Sequence, residues 1–290
     1  MTSGKREQRL VFGEVAELYD QVRPGYPEAV FDRILAYGDL VPGDRVLEVG
    51  CGTGKASAPM ARRGLRLTAL EPDPAMARVA RRQTDALPGK VEVEQLGFED
   101  WLPRGGPFAA LLSAQAWHWV DPETRLARAH AVLRSGGTLA LMWNVFQIGS
   151  WPPELRRAVN AAYRRSAPGL LRQTVSEIEV DRREEIRQSG LFQDLRKEEF
   201  PWSRGYERAD YLRLLETQSD HRLLPGPIRR RLLQAIEQAL IRQGGLVPQG
   251  YRTFLYLARS APGGSRIRAF ALPGGPGAAI GRRDNGPDAG

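Results

Sequence analysis

Val46-Leu47-Glu48-Val49-Gly50-Cys51-Gly52-Thr53-Gly54 is a short apolar run with one acid inside it, followed by glycines at every second position. Valine and leucine at that length suit a buried strand of a parallel sheet. Glycines directly after a strand let the backbone turn tightly and approach a ligand. The spacing argues against two familiar ligands. A dinucleotide loop, G-x-G-x-x-G, needs a third glycine where Lys55 stands. A triphosphate loop, G-x-x-x-x-G-K-[ST], needs a glycine at Val49 and a hydroxyl at Ala56.

Two acids narrow the ligand further. Glu48, two residues before the first glycine, would repel a pyrophosphate but suits an amino-acid ammonium group. In Leu67-Thr-Ala-Leu-Glu-Pro-Asp-Pro-Ala-Met-Ala77 a strand ends at Glu71, and an acid at a strand end accepts hydrogen bonds from both hydroxyls of a ribose. The ligand so described has a ribose, a positive charge and little or no phosphate.

Outward from the loop, residues 45–144 alternate β-like runs with helical patterns, which predicts a parallel sheet covered on both faces. The expected strands are Val46–Val49, Leu67–Leu70, Val91–Gln95, Phe108–Ser113 and Thr138–Trp143. Helices are expected over Lys55–Arg63, Pro74–Asp85 and Pro122–Leu133, the last stopped by Gly136-Gly137. Gly13–Tyr19 and Pro27–Ala36 read as two short helices ahead of this core. Helices are also expected over Pro152–Arg165, Arg182–Gln188 and Glu207–Glu216. Ile228, Leu232, Ile236 and Leu240 form an amphipathic stripe over Ile228–Ile241, read as a packing surface. Tyr251–Ala258 is expected to be a terminal strand paired with Leu195–Pro201. From about Ala261 the chain turns rich in Gly, Pro and Ala without periodicity, which predicts a disordered tail. The expected division is 1–40, 41–145, 146–258 and 259–290, the units being an N-terminal lid, a ligand-binding core, a covering segment with the terminal strand pair, and the tail.

Composition sets outer limits. The 290 residues are 42% hydrophobic, enough for a globular core, and the formal net charge is +8. The basicity is almost all arginine, the only lysines being Lys5, Lys55, Lys90 and Lys197. It gathers into no basic arm with interleaved aromatics, so a nucleic-acid footprint is the weaker reading. One cysteine and three widely separated histidines, His118, His130 and His221, give no disulfide and no metal-ligand spacing. Cys51 reads as a small space-filler. No run approaches the roughly 18 apolar residues of a membrane span, and the first residues lack the pattern of a leader, so a cytoplasmic location is expected.

These residues resemble a known family. The glycine motif with Leu70-Glu-Pro-Asp-Pro-Ala-Met76, Gly97-Phe-Glu-Asp-Trp101 and Leu111-Leu-Ser-Ala-Gln-Ala-Trp-His-Trp-Val-Asp-Pro122 look like class I S-adenosylmethionine-dependent methyltransferases. Residues 12–30 and 214–224 resemble a small-molecule subgroup that includes trans-aconitate methyltransferase-like proteins. The resemblance spans roughly residues 12–258. It implies an α/β, Rossmann-like, doubly wound sheet of seven strands, mainly parallel with an antiparallel last strand, plus lid helices and a helical insertion.

It also implies roles. Glu48 with the backbone around Gly50, Gly52 and Gly54 would hold the methionine portion and ribose, Glu71 the ribose hydroxyls, Pro72 and Phe98 the adenine faces, and Glu99 the adenine amino group. Ser113, Ala114 and Gln115 would turn backbone carbonyls toward the cofactor ammonium. Tyr19 and Arg23 would close over it from the lid, Arg23 pairing with its carboxylate.

The expected partner is a small-molecule methyl acceptor, aligned with the activated methyl and shielded from water. A carboxylate acceptor needs no base. For a hydroxyl or phenol, His118 is the candidate base, the alternative being a histidine that hydrogen-bonds a loop and holds the pocket rim. His221 and Tyr163 stand where C-terminal helices could bring them to a substrate cavity. Trp117, Trp119, Trp143 and Trp151 are candidates for its lining or for plain packing. Methylation of RNA or protein, and cofactor binding without catalysis, stay open as alternatives. Ser-Ala-Gln-Ala stands where enzymes that methylate base amino groups carry Asn/Asp-Pro-Pro-aromatic, which counts against that chemistry.

Overall fold

A computed structural model describes residues 13–147, 151–171 and 181–262; the expected tail lies outside them. After a turn at Gly13–Val15 come α1 (Ala16–Val22), α2 (Glu28–Gly38), β1 (Arg45–Val49), α3 (Ser57–Arg62), β2 (Arg66–Leu70), α4 (Pro74–Thr84), β3 (Val91–Glu94) and β4 (Phe108–Ala114). A turn at Trp117–Trp119 leads to α5 (Arg125–Val132), β5 (Leu133–Gln147), α6 (Pro153–Ser166), α7 (Pro168–Leu171) and α8 (Arg183–Gln188). The chain continues through β6 (Phe192–Tyr206), α9 (Arg208–Glu216), α10 (Ser219–Arg222) and α11 (Gly226–Gln243) to β7 (Val247–Ser260).

The seven strands form one sheet in the order β3-β2-β1-β4-β5-β7-β6. β1, β2, β3, β4 and β5 pair in parallel, while β7 runs antiparallel between β5 and β6. The expected terminal pairing is present, with Arg196 opposite Leu257 and Pro201 opposite Arg252. The strand order reverses between β1 and β4, which opens a crevice at the carboxyl ends of these strands.

Alternation along each strand fills both faces. Val46, Leu112, Ala140 and Leu257 pack with Phe31 and Ile34 of α2 and Met60 of α3. Their chain neighbours Leu47, Leu111, Leu141 and Tyr256 pack with Leu126 of α5, Ile186 of α8 and a tryptophan cluster. Burying one such leucine contributes roughly 1.5–3 kcal/mol. A third core joins α6, α9 and α11 through Leu155, Val159, Leu214, Leu232, Ile236 and Leu240. The apolar stripe of α11 is thus a packing surface against α6 and α9.

Two local expectations shift. The helix before β5 stops at Val132, ahead of Gly136-Gly137, and those glycines fall within β5. At Gly137 a Cβ would stand 2.8 Å from the Arg134 carbonyl oxygen, so close backbone contact rather than helix termination demands a glycine there. The helix after the glycine loop starts at Ser57 instead of Lys55, because the turn continues through Ala56.

Candidate functional site

The glycine loop is folded back by its own backbone. Gly50 N and Cys51 N both donate to the Leu70 carbonyl at 2.9 Å, which ties the end of β1 to the end of β2. Gly50, Gly52 and Gly54 take φ of +71°, +58° and +88°, so alternate residues are left-handed and the chain curls into a cradle. At Gly50 a Cβ would also lie 2.3 Å from Ala116 Cβ, which excludes any side chain.

The cradle opens into a cavity of about 830 Å³. Its walls come from the carboxyl ends of β1, β2, β4 and β5, from the lid segment with Tyr19, Arg23 and Tyr26, and from Gln218–Asp220 with Leu223 and Leu224. The lid is tied on both sides. Lys55 Nζ donates to the Asp20 carbonyl at 2.7 Å and Gln83 Nε2 to Asp20 Oδ2 at 2.7 Å. Opposite, Arg23 donates to Thr217 Oγ1 at 2.8 Å and to its carbonyl at 2.9 Å, and Arg222 pairs with Glu14.

Glu48 is fully buried on this wall. Ser57 Oγ donates to its Oε2 at 2.5 Å, while Oε1 is enclosed with no hydrogen-bond partner among the described residues. Burial pushes the carboxyl up to about 7, Glu71 adding to the rise and the Ser57 bond opposing it. An enclosed carboxylate oxygen without a donor attracts a cation. Glu71 is differently placed: Gly52 N donates to Oε2 and Asp73 N to Oε1, each at 2.9 Å. These bonds fix the carboxylate at the tip of β2. Asp73 caps α4 through Ala75 N and Met76 N.

The remaining expected residues divide. Pro72, Glu99, Ala114 and Gln115 line the cavity. Gln115 sits at φ +59°, a left-handed turn that carries the chain away from β4. Ser113 is fully buried and donates to the Val49 carbonyl at 2.9 Å; it braces β4 against β1 instead of lining the cavity. Phe98 touches the cavity, but only 2% of it is exposed and its ring packs against Trp101 and Trp117 beneath the Arg128 guanidinium. Leu96 and Gly97 share that wall. Cys51 is buried, and burial pushes its thiol well up, in keeping with a space-filler.

His118 lines the cavity beside Trp119, and Trp143 Nε1 donates to its Nδ1 at 3.3 Å. A neutral imidazole that accepts at Nδ1 carries its proton on Nε2. In that arrangement the ring can donate from Nε2. Trp117, Trp143 and Trp151 are core residues, and of the four tryptophans only Trp119 lines the cavity. His221 and Tyr163 come together, with Tyr163 Oη 2.8 Å from His221 Nε2, but behind the wall; the cavity residue is the neighbouring Asp220.

Two polar residues that brace the site carry no sequence signal. Ser57 is a lone hydroxyl nine positions after Glu48, and Asn144 is the polar residue of an apolar strand. Asn144 Nδ2 donates to the Gly25 carbonyl at 2.9 Å and its Oδ1 accepts from Thr253 Oγ1 at 2.6 Å, joining lid, β5 and β7.

Residues 46–137 match the family model described as a methyltransferase domain. This part of the chain is similar to a methyltransferase domain of the S-adenosylmethionine-dependent class, and it supplies β1 to β4 and the start of β5 of the seven-stranded sheet. A Mycobacterium tuberculosis protein described only as an uncharacterized methyltransferase is 39% identical over 145 residues, covering 50% of this chain and 56% of the relative. A malonyl-[acyl-carrier protein] O-methyltransferase of Serratia marcescens is 32% identical over 145 residues, covering 48% and 52%. The chain spans about half the length of the curated relatives it matches. Among solved structures, a protein of Anaeromyxobacter dehalogenans described as a type II methyltransferase superposes with a TM-score of 0.58 at 24% identity, covering 83% of this chain and 99% of that one. The residues present fit the cofactor of this class: the unpartnered Glu48 oxygen suits a cation, and the left-handed glycines admit a ligand against bare backbone.

Proposed function

We propose that the protein is a methyltransferase that uses S-adenosylmethionine to methylate an oxygen of a small molecule held in the enclosed cavity. The observation that carries this reading is the pairing of two differently prepared carboxylates, Glu48 and Glu71, on either side of the glycine cradle. Bound there, the cofactor supplies an activated methyl on a sulfonium.

The chain's own residues bind and orient. Glu71, already fixed by two backbone donors, accepts from the ribose hydroxyls. Glu48 faces the methionine ammonium together with the carbonyls near Ala114 and Gln115. Pro72 and Leu96 flank the adenine, with Glu99 at its edge. Tyr19 and Arg23 close the lid, and His118 donates from Nε2 toward the acceptor. A small acceptor is supported by the cavity's size of about 830 Å³ and by the walls that Leu170, Gln218–Asp220, Leu223 and Leu224 add beside the crevice. Oxygen as the methylated atom is supported by relatives named as O-methyltransferases, the Serratia protein and a ubiquinone biosynthesis O-methyltransferase of Xanthomonas campestris.

Thermal shift and labelled transfer test the reading. S-adenosylmethionine and S-adenosylhomocysteine should raise the Tm while NAD leaves it unchanged, and labelled methyl should appear on a hydroxyl or carboxylic acid from a small-molecule panel. No shift with either sulfur ligand would sink the proposal.

A further inference from the structure

Resting on that reading, the geometry points to Asp220 as the hydrogen-bond acceptor of a subsite that takes an uncharged hydroxyl of the methyl acceptor and turns carboxylates away. Asp220 stands on the cavity wall between Ser219 and Leu223, with Leu170, Leu224, Phe146 and Tyr251 supplying apolar surface in the same chamber. Its side chain keeps 35% exposure, so a ligand within the cavity reaches the carboxylate.

Behind the wall the carboxylate is locked. Asp220 Oδ1 accepts from the His221 backbone N at 2.7 Å and faces the ring Nδ1 at 2.8 Å. The ring's other nitrogen lies 2.8 Å from Tyr163 Oη, and the two rings meet edge to face at 5.7 Å. His221 is buried. The three groups form one relay, in which Nδ1–H donates to Asp220 and Tyr163 O–H can donate to Nε2. Both bonds fall on Oδ1, and the residue itself forms part of the cavity wall.

The charge state is set by the same contacts. Burial works to raise the Asp220 carboxyl, but the His221 bonds and the nearby Arg23 guanidinium outweigh it and hold the group below its ordinary range. Arg23 is itself anchored to Thr217, in the same segment. An anionic, immobile acceptor in a mostly apolar chamber rewards a ligand that donates a proton and penalises a second anion. An ammonium would also bind, but a protonated nitrogen has no lone pair to methylate; the group that binds and reacts is a neutral donor, and with oxygen as the methylated atom that donor is a hydroxyl. His221 and Tyr163 are positioning residues that hold Asp220 in place.

The test is binding by the whole protein saturated with S-adenosylhomocysteine, using the shape-matched probes 2-naphthol and 2-naphthoate in saturation-transfer NMR titrations. The wild type should favour the naphthol by about tenfold or more, and Asp220→Asn should shrink the ratio to about threefold or less by removing the repelling charge. Unchanged affinity for S-adenosylhomocysteine shows that the variant is folded. Tyr163→Phe should narrow the ratio in part with the same cofactor affinity. A naphthoate that binds as well as the naphthol, a ratio untouched by Asp220→Asn, or no binding of either probe would overturn the inference. Failure of S-adenosylhomocysteine to bind the wild type appears separately, in the first titration, and overturns the methyltransferase reading along with it.

Discussion

Glu48→Gln should stabilise the empty protein and weaken it as a binder, and burial sets the size of the first effect. The carboxyl is fully enclosed, with Ser57 on one oxygen and no partner among the described residues on the other. Its folded value rises from an ordinary 4.5 to about 7, and each pH unit of that rise is worth about 1.4 kcal/mol. The folded chain therefore holds a proton that the unfolded chain has already lost between those limits. Stability associated with protonated Glu48 is complete below pH 4.5, declines as pH climbs, and is gone above about 7. At pH 8 the ionised group costs the wild type up to about 3 kcal/mol, which the neutral amide avoids. Near pH 5 the two proteins should match. For a chain of this size the gap corresponds to roughly 5–10 °C in Tm at pH 8. Scanning calorimetry of both proteins without ligand, from pH 5 to 8.5, measures the divergence. A Tm difference that stays constant across the range would refute the reasoning. In the wild type, affinity for S-adenosylhomocysteine should rise with pH up to about 7 and level off, since the ligand's ammonium favours the ionised carboxylate.

Glu71→Ala removes the proposed acceptor for two ribose hydroxyls and also frees Gly52 N and Asp73 N; calorimetry should show cofactor affinity lower by about 1–3 kcal/mol, and an unchanged value would place the ribose elsewhere. Gly50→Ala puts a Cβ into Ala116 at a left-handed φ, and titration should show cofactor binding reduced by about tenfold or more, with a lowered Tm. Arg125→Met removes the 2.6 Å partner of Glu185, which keeps Arg182 at 3.7 Å, and leaves the Trp117 carbonyl without its 2.9 Å donor; urea unfolding should report a loss of about 1–3 kcal/mol, and a near-neutral result would show that the pair only breaks even against packing.

The sheet was legible because strands buried on both faces announce themselves as apolar runs, and a glycine at every second position narrows the ligand beside the first of them. The terminal strand Tyr251–Ala258 was legible for a different reason, the alternation of Phe254, Tyr256 and Ala258 with their neighbours. The features that stayed hidden depend on direction, not composition. Ser113 sits one residue before the lining begins, and the pleat turns its hydroxyl to Val49. Phe98 is one aromatic in a loop until Trp101 and Trp117 are folded around it. The tautomer of His118 is set by Trp143, 25 residues away along the chain. Asp220 looks like one more helix-end acid until Tyr163, 58 residues before His221, is brought against the ring.

The last strand among the described residues is not the last in the sheet. β7 lies between β5 and β6 and pairs with both, so until Val247–Ser260 is in place those neighbours are bare edges with unpaired backbone groups. The lid repeats the theme, since Arg23 waits for Thr217, 194 residues later. Residues 45–114 can pair as soon as they emerge during synthesis, but the chamber closes only when the two ends of the described chain meet across it. Such long-range closure slows folding and leaves hydrophobic strands unshielded in the meantime. A truncation within β7 should therefore yield aggregate rather than a smaller soluble protein.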